Sequence, residues 1–330
     1  MIRIPVYEPL LKGNEKRYLN KAISSGWVSS DGYFVQKFEE EFAKWSGNKY
    51  AVAVCNGTAA LETGLFALDI KYKSIEIPDW TIISCYLAPF RLGFEIHFRD
   101  RCLKQYIRHH SYSIMMVHSF GHYQNIETNA PLLEDCSQYW QPFKVKDVAC
   151  YSLYANKLIT SGEGGIIITN KKEIYQRAKV YRNLCHSKER FVHNDIGYNF
   201  RMSNLQGAVA LAQLEQIDKF TEIKQKNRGL YKRYLPDTIE ILFDVPVPWM
   251  YLIETKYDAG KMVKKLAEKD IDCRRFFYPL HRQPCFKNKY EYLDFPNSDY
   301  AWRHWFYLPS GLTLTEKQII YICKTLKEIL

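Results

Sequence analysis

Short apolar runs alternate with amphipathic stretches over roughly the first three-fifths of the chain, a pattern that predicts alternating strands and helices. Apolar residues recur at helical spacing from 34 to 45, Gly47 ends that helix, and the run Tyr50–Cys55 predicts a buried strand. Strands this short and apolar are typical of a largely parallel sheet covered by helices on both faces. Further helices are predicted at Ala59–Leu68 and Thr81–Leu92, and further strands at Ile75–Pro78, Ile114–His118, Leu132–Glu134, Val148–Leu153 and Gly165–Thr169.

A different pattern begins after residue 200. Ser203 and Gln206 have the spacing of a capping box, which predicts a long amphipathic helix from Asn204 to about Arg228 with Gly229 as its end. The remainder predicts a smaller α+β unit, with a large α/β domain at 1–229 and a C-terminal domain at 230–330. The elements expected in the smaller unit are a strand near Val247–Ile253, a helix at Ala259–Lys269, an extended segment at Arg274–Pro279 and a closing helix capped by Thr313 or Thr315.

Composition and charge narrow the function classes. The 330 residues are 47% hydrophobic and 15% aromatic, which is typical of a globular, enzyme-sized chain. The net charge of +10 comes from basic residues interleaved with acidic ones, which favours solvated helix faces over nucleic-acid binding. A mild attraction for phosphorylated small molecules stays open.

The first residues of the chain and the spacing of its cysteines indicate the cellular compartment and whether a metal site is expected. The first residues lack the apolar core of a signal peptide, and no apolar run could cross a bilayer, so we expect a cytoplasmic protein without a membrane partner. Nine cysteines form no CxxC pair, so we expect reduced thiols, no disulfide and no metal site.

Four polar segments stand where predicted strands end or helices begin. Taken singly, each is also compatible with an ordinary turn, cap or surface loop. Familiar nucleotide, metalloprotease and serine-hydrolase signatures are missing from the sequence. The four segments are Asn56–Thr58, Glu134–Asp135, Ser152–Lys157 with the glycine turn that follows it, and Gly197–Asn204.

Three of these segments contain residue types that suit a particular chemistry. At the turn Asn56–Thr58, Gly57 permits close backbone approach, and the start of the following helix offers free N–H groups to a phosphate. A carboxylate at Asp135 suits a cationic ring nitrogen, since it favours the protonated ring. Lys157, on a turn after a strand, is placed to attack a carbonyl once its pKa is lowered.

In this order the segments resemble one family over essentially the whole chain. The sequence is similar to the DegT/DnrJ/StrS-type sugar aminotransferases, a branch of the fold type I pyridoxal 5′-phosphate (PLP) enzymes, and within them to the perosamine-synthase group. The segments that carry the resemblance are Ile4–Pro9, Gly26–Ser30, Asn56–Leu61, Glu134–Asp135, Ser152–Lys157, Gly162–Gly165, Lys188–His193, Gly197–Asn204, Leu211–Glu215 and Phe277–His281.

The resemblance implies PLP as the cofactor and assigns roles by position. Lys157 would form the Schiff base and shuttle protons, and Asp135 would pair with the pyridinium nitrogen. The other implied cofactor residues are Gly57, Thr58 and Ser152 at the phosphate, Gln138 near the ring and its 3′-oxygen, Ile82 against the ring, and Asn199 reaching the phosphate from the neighbouring subunit.

The implied reaction is the transamination of a nucleotide-linked 4-keto-6-deoxyhexose to the 4-amino sugar, with L-glutamate as amino donor. The enzyme would be a homodimer with shared active sites, serving polysaccharide or O-antigen biosynthesis. The substrate-side candidates are Ser29, Ser30, Arg201 and His281, and for His281 a structural role is equally compatible.

Two departures from the family pattern leave questions open. Relatives usually have an aromatic residue at Ile82; here either Ile82 packs on the ring as an aliphatic lid or Trp80 substitutes, and Trp80 is expected in the core. Gln138 stands where perosamine-type enzymes can carry Glu. The segments around 99–113 and 139–147 also look shorter than in typical members of the family.

Three alternatives accompany this interpretation. A relative that aminates carbon 3 would share the PLP residues and differ in its sugar contacts. The 3-dehydratase branch has a histidine in place of the Schiff-base lysine, and Lys157 argues against it. A non-catalytic PLP-fold binding protein would be favoured by loss of Lys157 or Asp135, and both are retained.

Overall fold

The structure is a computed structural model that describes residues 3–100, 113–189, 191–287 and 289–329. Most of the segment around 99–113 that was expected to be short therefore lies outside the described residues. The helices are α1 (Glu15–Ser24), α2 (Tyr33–Ser46), α3 (Gly57–Ala67), α4 (Ser84–Arg91), α5 (Lys172–Tyr181), α6 (Asn204–Leu214), α7 (Ile217–Tyr234), α8 (Ala259–Ala267), α9 (Pro296–His304) and α10 (Glu316–Ile329). The strands are β1 (Tyr50–Val54), β2 (Ser74–Pro78), β3 (Glu95–Arg99), β4 (Ile114–Val117), β5 (Leu132–Asp135), β6 (Val148–Ser152), β7 (Gly165–Thr169), β8 (Ile241–Leu242), β9 (Tyr251–Glu254), β10 (Arg274–Arg275) and β11 (Trp305–Leu308).

A seven-stranded sheet organises the first part of the chain, in the order β1-β7-β6-β5-β4-β2-β3. The pairs from β6 through β5, β4 and β2 to β3 are parallel, and β7 is antiparallel to both of its neighbours. The predicted α/β class with a mostly parallel central sheet is confirmed. Because β5 and β6 are parallel neighbours, Asp135 and Ser152 end their strands at the same edge.

Side chains of the sheet alternate between two apolar layers, as the pleat requires. In β1, Ala51 and Ala53 pack in the layer that contains α2 and α6, whereas Val52 and Val54 pack in the layer that contains α3 and α4. Both faces of β1 are thus buried, which explains why strands such as β1, β4 and β7 are largely apolar runs in the sequence.

A second sheet of four antiparallel strands, in the order β10-β11-β9-β8, forms a separate core with α7, α8 and α10. A further cluster of aromatic residues connects this sheet with loops of the first one. Trp80 belongs to it, only 4% exposed and packed against Phe276 and Trp305, so the expectation that Trp80 lies in the core is confirmed. The division of the chain into domains at residue 229 stays a prediction.

The prediction of one long helix after Ser203 is wrong in two respects. Its capping box is present, with Ser203 Oγ accepting from Gln206 N at 3.2 Å, but α6 ends at Leu214 and α7 starts a new helix. The second error concerns Gly229, which lies inside α7 and does not end it. Its Cα faces open space, and a glycine inside a helix costs only about 1 kcal/mol, which the packing of α7 outweighs.

In the described part of the chain, no helix combines the length and the apolar character that crossing a bilayer demands.

Candidate active site

The carboxyl edge of the parallel strands gathers the predicted cofactor residues. Asp135 is the last residue of β5, Ser152 is the last residue of β6, and the turn after β6 carries Lys157. A parallel sheet leaves a crevice at this edge, where loops on either side diverge. Sequence and topology therefore place the candidate nucleophile beside the candidate carboxylate.

Lys157 has the environment of a reactive amine. Part of its surface is accessible, and its Nζ stands 4.7 Å from the centre of the Trp249 ring. Burial lowers the pKa of Lys157 from the ordinary 10.5 to about 8, although the carboxylate of Asp135 opposes the shift. A larger fraction of the amine is thus unprotonated near neutral pH, as nucleophilic attack on a carbonyl requires.

Asp135 is 3% exposed, and both of its oxygens have donors. The backbone N–H of Ser137 donates to Oδ1 at 2.9 Å, and the thiol of Cys85 donates to Oδ2 at 3.2 Å. Burial raises the pKa of the Cys85 thiol well above its ordinary value, so the thiol keeps the proton that it donates. A carboxylate oriented in this way is suited to hold a cationic ring N–H.

The start of α3 and the end of β6 form a cradle. A Cβ on Gly57 would lie 2.7 Å from Ser152 Cβ and 3.0 Å from Ser152 Oγ, so only glycine allows this approach. Asn56 caps the helix by accepting from Ala59 N at 2.8 Å. The earlier N–H groups of the first turn have no partner within the helix and suit an anion. Thr58 Oγ1 donates to Ser84 Oγ at 2.8 Å and so joins α3 to α4.

Two further predicted segments lie against this cradle. Gly165 packs on the backbone of Asn56, where a Cβ would clash. The 199–201 segment adjoins the end of β1, with Cys55 N donating to Phe200 O at 2.8 Å and an isolated bridge between Val54 and Arg201. Four segments far apart in sequence thus converge on one place.

Gln138 and Ile82 are placed in different ways. The side-chain oxygen of Gln138 accepts from Phe120 N at 2.7 Å, which leaves the amide NH₂ as the end that can donate to an oxygen ligand. Ile82 is 50% exposed just before α4, so its side chain is available at the surface, whereas Trp80 is buried. This arrangement favours the aliphatic-lid alternative over substitution by Trp80.

The substrate-side candidates are less uniform. Ser29 and Ser30 lie on a loop held beside the start of α6, where Asn204 N donates to Ser29 O at 2.8 Å. Arg201 donates to Asn183 Oδ1 at 2.7 Å and is partly buried. Asn199 is exposed.

His281 is buried and has partners for both ring nitrogens. Its Nδ1 lies 2.8 Å from Asp79 Oδ2, its backbone N–H donates to Asp79 Oδ1 at 2.7 Å, and Arg282 Nε donates to its Nε2 at 3.2 Å. These contacts connect the end of β2 with the segment after β10. They favour a structural role for His281 over a role in substrate binding.

Sequence reasoning missed several residues of this site. Cys85 and Ser84 lie at the start of a predicted helix, where neither residue type signals a role on its own. Tyr7 and Trp249 contact the Lys157 turn from distant parts of the chain, and no local pattern indicates such contacts. Only the resemblance of their surroundings to a family could have suggested them.

The residues present fit PLP. A glycine cradle at a helix start suits its phosphate, an oriented carboxylate suits its ring nitrogen, and an amine with lowered pKa suits its aldehyde. Among the described residues, no group of three or more His, Cys, Asp or Glu side chains is arranged to hold a metal ion.

Comparisons with known proteins agree with this geometry. Residues 9–327 match the model of the DegT/DnrJ/EryC1/StrS aminotransferase family. The chain is 34% identical to a GDP-perosamine synthase of Escherichia coli O157:H7 and 31% identical to one of Vibrio cholerae, in each case over 98% of both chains. Its fold is similar to that of PseC of Helicobacter pylori, an aminotransferase involved in pseudoaminic acid biosynthesis, with a TM-score of 0.89 at 19% identity over 99% of this chain and 98% of the other.

A family match over nearly the whole chain, together with full-length relatives above 30% identity, decides the assignment. The candidate lysine, the candidate carboxylate and the glycine cradle all have surroundings that suit PLP. The chain belongs to the DegT/DnrJ/EryC1/StrS aminotransferase family and is a PLP-dependent sugar aminotransferase.

Proposed function

We propose that this enzyme transfers an amino group from L-glutamate to carbon 4 of a nucleotide-linked 4-keto-6-deoxyhexose. The observation that carries the proposal is the partly accessible amine of Lys157 next to the buried carboxylate of Asp135, in a chain whose full-length relatives include GDP-perosamine synthases. The O-antigen or polysaccharide pathway that would use the product stays a prediction.

When bound, PLP supplies an electron sink that stabilises negative charge on the carbon next to the amino nitrogen. The chain's own residues do the rest. Lys157 Nζ would attack the cofactor carbonyl and later carry a proton from the amino donor's carbon. Asp135 would keep the proton on the ring nitrogen, and its two donors, Ser137 N and Cys85 Sγ, orient it for that.

Binding of the cofactor phosphate would fall to the start of α3 and to Ser152. The helix contributes N–H groups and its positive end, and the Ser152 hydroxyl contributes a polar contact. The Thr58 hydroxyl would contribute a second one by turning its O–H from Ser84 Oγ to the phosphate. The side chain of Gln138, with its oxygen held by Phe120 N, would donate from its NH₂ to the cofactor's 3′-oxygen.

We further propose a homodimer in which Asn199 of one protomer reaches the cofactor phosphate of the other. Asn199 is exposed and follows a segment whose apolar residues are also exposed, Phe191 by 74% and Ile196 by 79%. Trp27 and Tyr33, near the substrate-side serines, are exposed by 54% and 66%. Trp27 and Tyr33 line one surface pocket, and a contiguous group of apolar side chains at the surface is typical of an interface.

A subunit-mixing experiment tests the shared site. Lys157→Ala and Asn199→Ala proteins, each nearly inactive, are unfolded and refolded together. If each site combines Lys157 of one protomer with Asn199 of the other, half of the dimers are hybrids with one intact site. The mixture then regains about a quarter of the wild-type activity. No recovery, or a monomer by light scattering, would contradict the proposal.

The substrate is tested by incubation with PLP, L-glutamate and a panel of GDP-, dTDP- and UDP-linked 4-keto-6-deoxy sugars. Mass and NMR of the product identify the aminated carbon, and Lys157→Ala is the control. We expect a 4-amino sugar. Amination only at carbon 3 would favour the alternative branch, and PLP uptake with no turnover on any sugar would favour a binding protein.

A further inference from the structure

Two residues from distant parts of the chain hold the turn that carries Lys157. The hydroxyl of Tyr7 donates to the carbonyl oxygen of Lys157 at 2.7 Å. The indole N–H of Trp249 donates to the carbonyl oxygen of Asn156 at 2.8 Å, and the Trp249 ring centre lies 4.7 Å from Lys157 Nζ. The turn is therefore fixed at consecutive carbonyls, and its amine faces an aromatic ring.

A second lysine lies behind both of these residues. Lys224 of α7 is 1% exposed, and its Nζ donates to Trp249 O at 2.8 Å, to Ser310 O at 2.7 Å and to Ser310 Oγ at 2.6 Å. An ammonium group has three N–H donors, and these acceptors match all three. The Tyr7 ring centre lies 5.1 Å from the same Nζ.

Ser310 extends the connection to the N-terminal arm. Its backbone N–H donates to Val6 O at 2.9 Å, next to Tyr7, and its hydroxyl donates to Trp249 O at 3.1 Å. Lys224 thus contacts the backbone carbonyl of Trp249. It also contacts Ser310, which binds the N-terminal arm next to Tyr7. A buried amine without a carboxylate among these partners is costly, so its retention in the core calls for a reason.

We propose that Lys224 is a positioning residue for the transamination: by fixing Trp249 and, through Ser310, the Tyr7 arm, it sets where the Lys157 amine stands. The inference rests on the proposed role of Lys157. Trp249 transmits the effect because an aromatic face attracts the ammonium form of a lysine. Loss of Lys224 would let Trp249 shift and leave the Lys157 amine without its fixed neighbour.

The test uses a readout whose direction separates the aromatic contact from general packing. Looser packing would raise the pKa of Lys157, because burial lowers it, whereas loss of the aromatic face would lower it further. In the cofactor-free protein, Lys157 is labelled with an amine reagent across a pH series, and mass spectrometry gives the pH of half-labelling. Lys226, exposed on the same helix, is the internal reference, and Lys226→Met is the control variant. The rate of PLP capture, followed by absorbance, is the second readout.

Trp249→Leu is expected to lower the half-labelling pH by up to roughly one unit, a tenfold change in ionisation. Lys224→Met should shift it in the same direction and slow PLP capture several-fold. The double variant should shift the half-labelling pH little further than Trp249→Leu alone, because both substitutions break the same contact from Lys224 through Trp249 to Lys157. Trp249→Phe keeps an aromatic face, so its half-labelling pH should be closer to that of the wild type than to that of Trp249→Leu.

Ser310→Ala is the milder variant if Lys224→Met does not fold, since it removes one acceptor and leaves every backbone carbonyl. It should slow PLP capture in the same direction. The proposal is overturned if folded Lys224→Met, or Ser310→Ala in its place, matches Lys226→Met in both readouts. Failure of the proposed function is separate: borohydride reduction of the PLP-loaded protein would then mark a residue other than Lys157.

Discussion

Replacing Gly57 by alanine tests the cradle directly. The new methyl carbon would lie 2.7 Å from Ser152 Cβ, 3.0 Å from its Oγ and 3.3 Å from its Cα. Carbon atoms pack favourably at about 3.5–4.0 Å, so the methyl group meets repulsion from side chain and backbone together. The Ser152 backbone is held, because residue 152 pairs with Gly165 in the sheet. We expect Gly57→Ala to lower the free energy of unfolding by about 1–3 kcal/mol.

Urea unfolding of the cofactor-free protein measures this effect in a double-mutant cycle. Ser152→Gly removes the Cβ and Oγ that the methyl group would strike and leaves only the contact with Cα. The double variant should therefore recover most of the stability lost in Gly57→Ala. Gly229→Ala is the matched control: its methyl group meets nothing within 4 Å inside α7, and it should stabilise the protein by up to about 1 kcal/mol.

Cofactor binding separates the two roles of this contact. Ser152→Gly should lower the free energy of unfolding by only about 1 kcal/mol, because a glycine enters the strand and the Tyr154 N–H loses its acceptor. It should nevertheless weaken PLP binding roughly tenfold or more, because a hydrogen bond to a charged phosphate is lost. The reasoning is refuted if Gly57→Ala unfolds at the wild-type urea concentration and Ser152→Gly makes no difference to it. The start of α3 and the end of β6 would then not be in contact.

Three further predictions concern Lys157 together with Asp135, the thiol of Cys85, and the buried contact between Asp79 and His281. The Lys157 amine of the cofactor-free protein should be half-labelled near pH 8 instead of 10.5, because burial lowers its pKa. Asp135→Asn should move the midpoint lower still, since the carboxylate raises that pKa, and a midpoint near 10 would contradict both statements. Cys85→Ala should weaken PLP binding several-fold in a titration, because the carboxylate loses a donor, whereas Cys85→Ser should bind as wild type. Asp79→Ala should lower the free energy of unfolding by about 3 kcal/mol, since the buried His281 loses both of its bonds to this carboxylate; unchanged urea unfolding would disprove that interpretation.

The strands that carry the site could be predicted from sequence because the sheet is buried on both faces. β5 and β6 are buried along their whole length, and their observed ends lie within one residue of the predicted ones. The edge strand β3 escaped prediction for the converse reason. Its residues Glu95 and His97 are polar and not buried, so the run Glu95–Arg99 lacks the apolar signal.

Helix boundaries were predicted well only where a local signal exists. Gly47 ends α2 in the left-handed conformation, with φ of 72°, and Ser203 caps α6. The break between α6 and α7 has no such signal. The helical pattern of apolar residues continues across Gln216. Gly229 resembles a helix end in the sequence but lies inside α7. Tertiary packing decides both positions, and a sequence window does not contain it.

The position of the reactive amine depends on contacts that are the least visible in the sequence. The strand and turn that lead to Lys157 are local, yet the turn is fixed by Tyr7 from the N-terminal arm and by Trp249 from beyond α7. A local pattern can therefore say that a lysine follows a strand, but not that its amine is oriented and partly deprotonated. Both properties come from burial among remote residues, which is why the lysine becomes recognisable only with the rest of the chain around it.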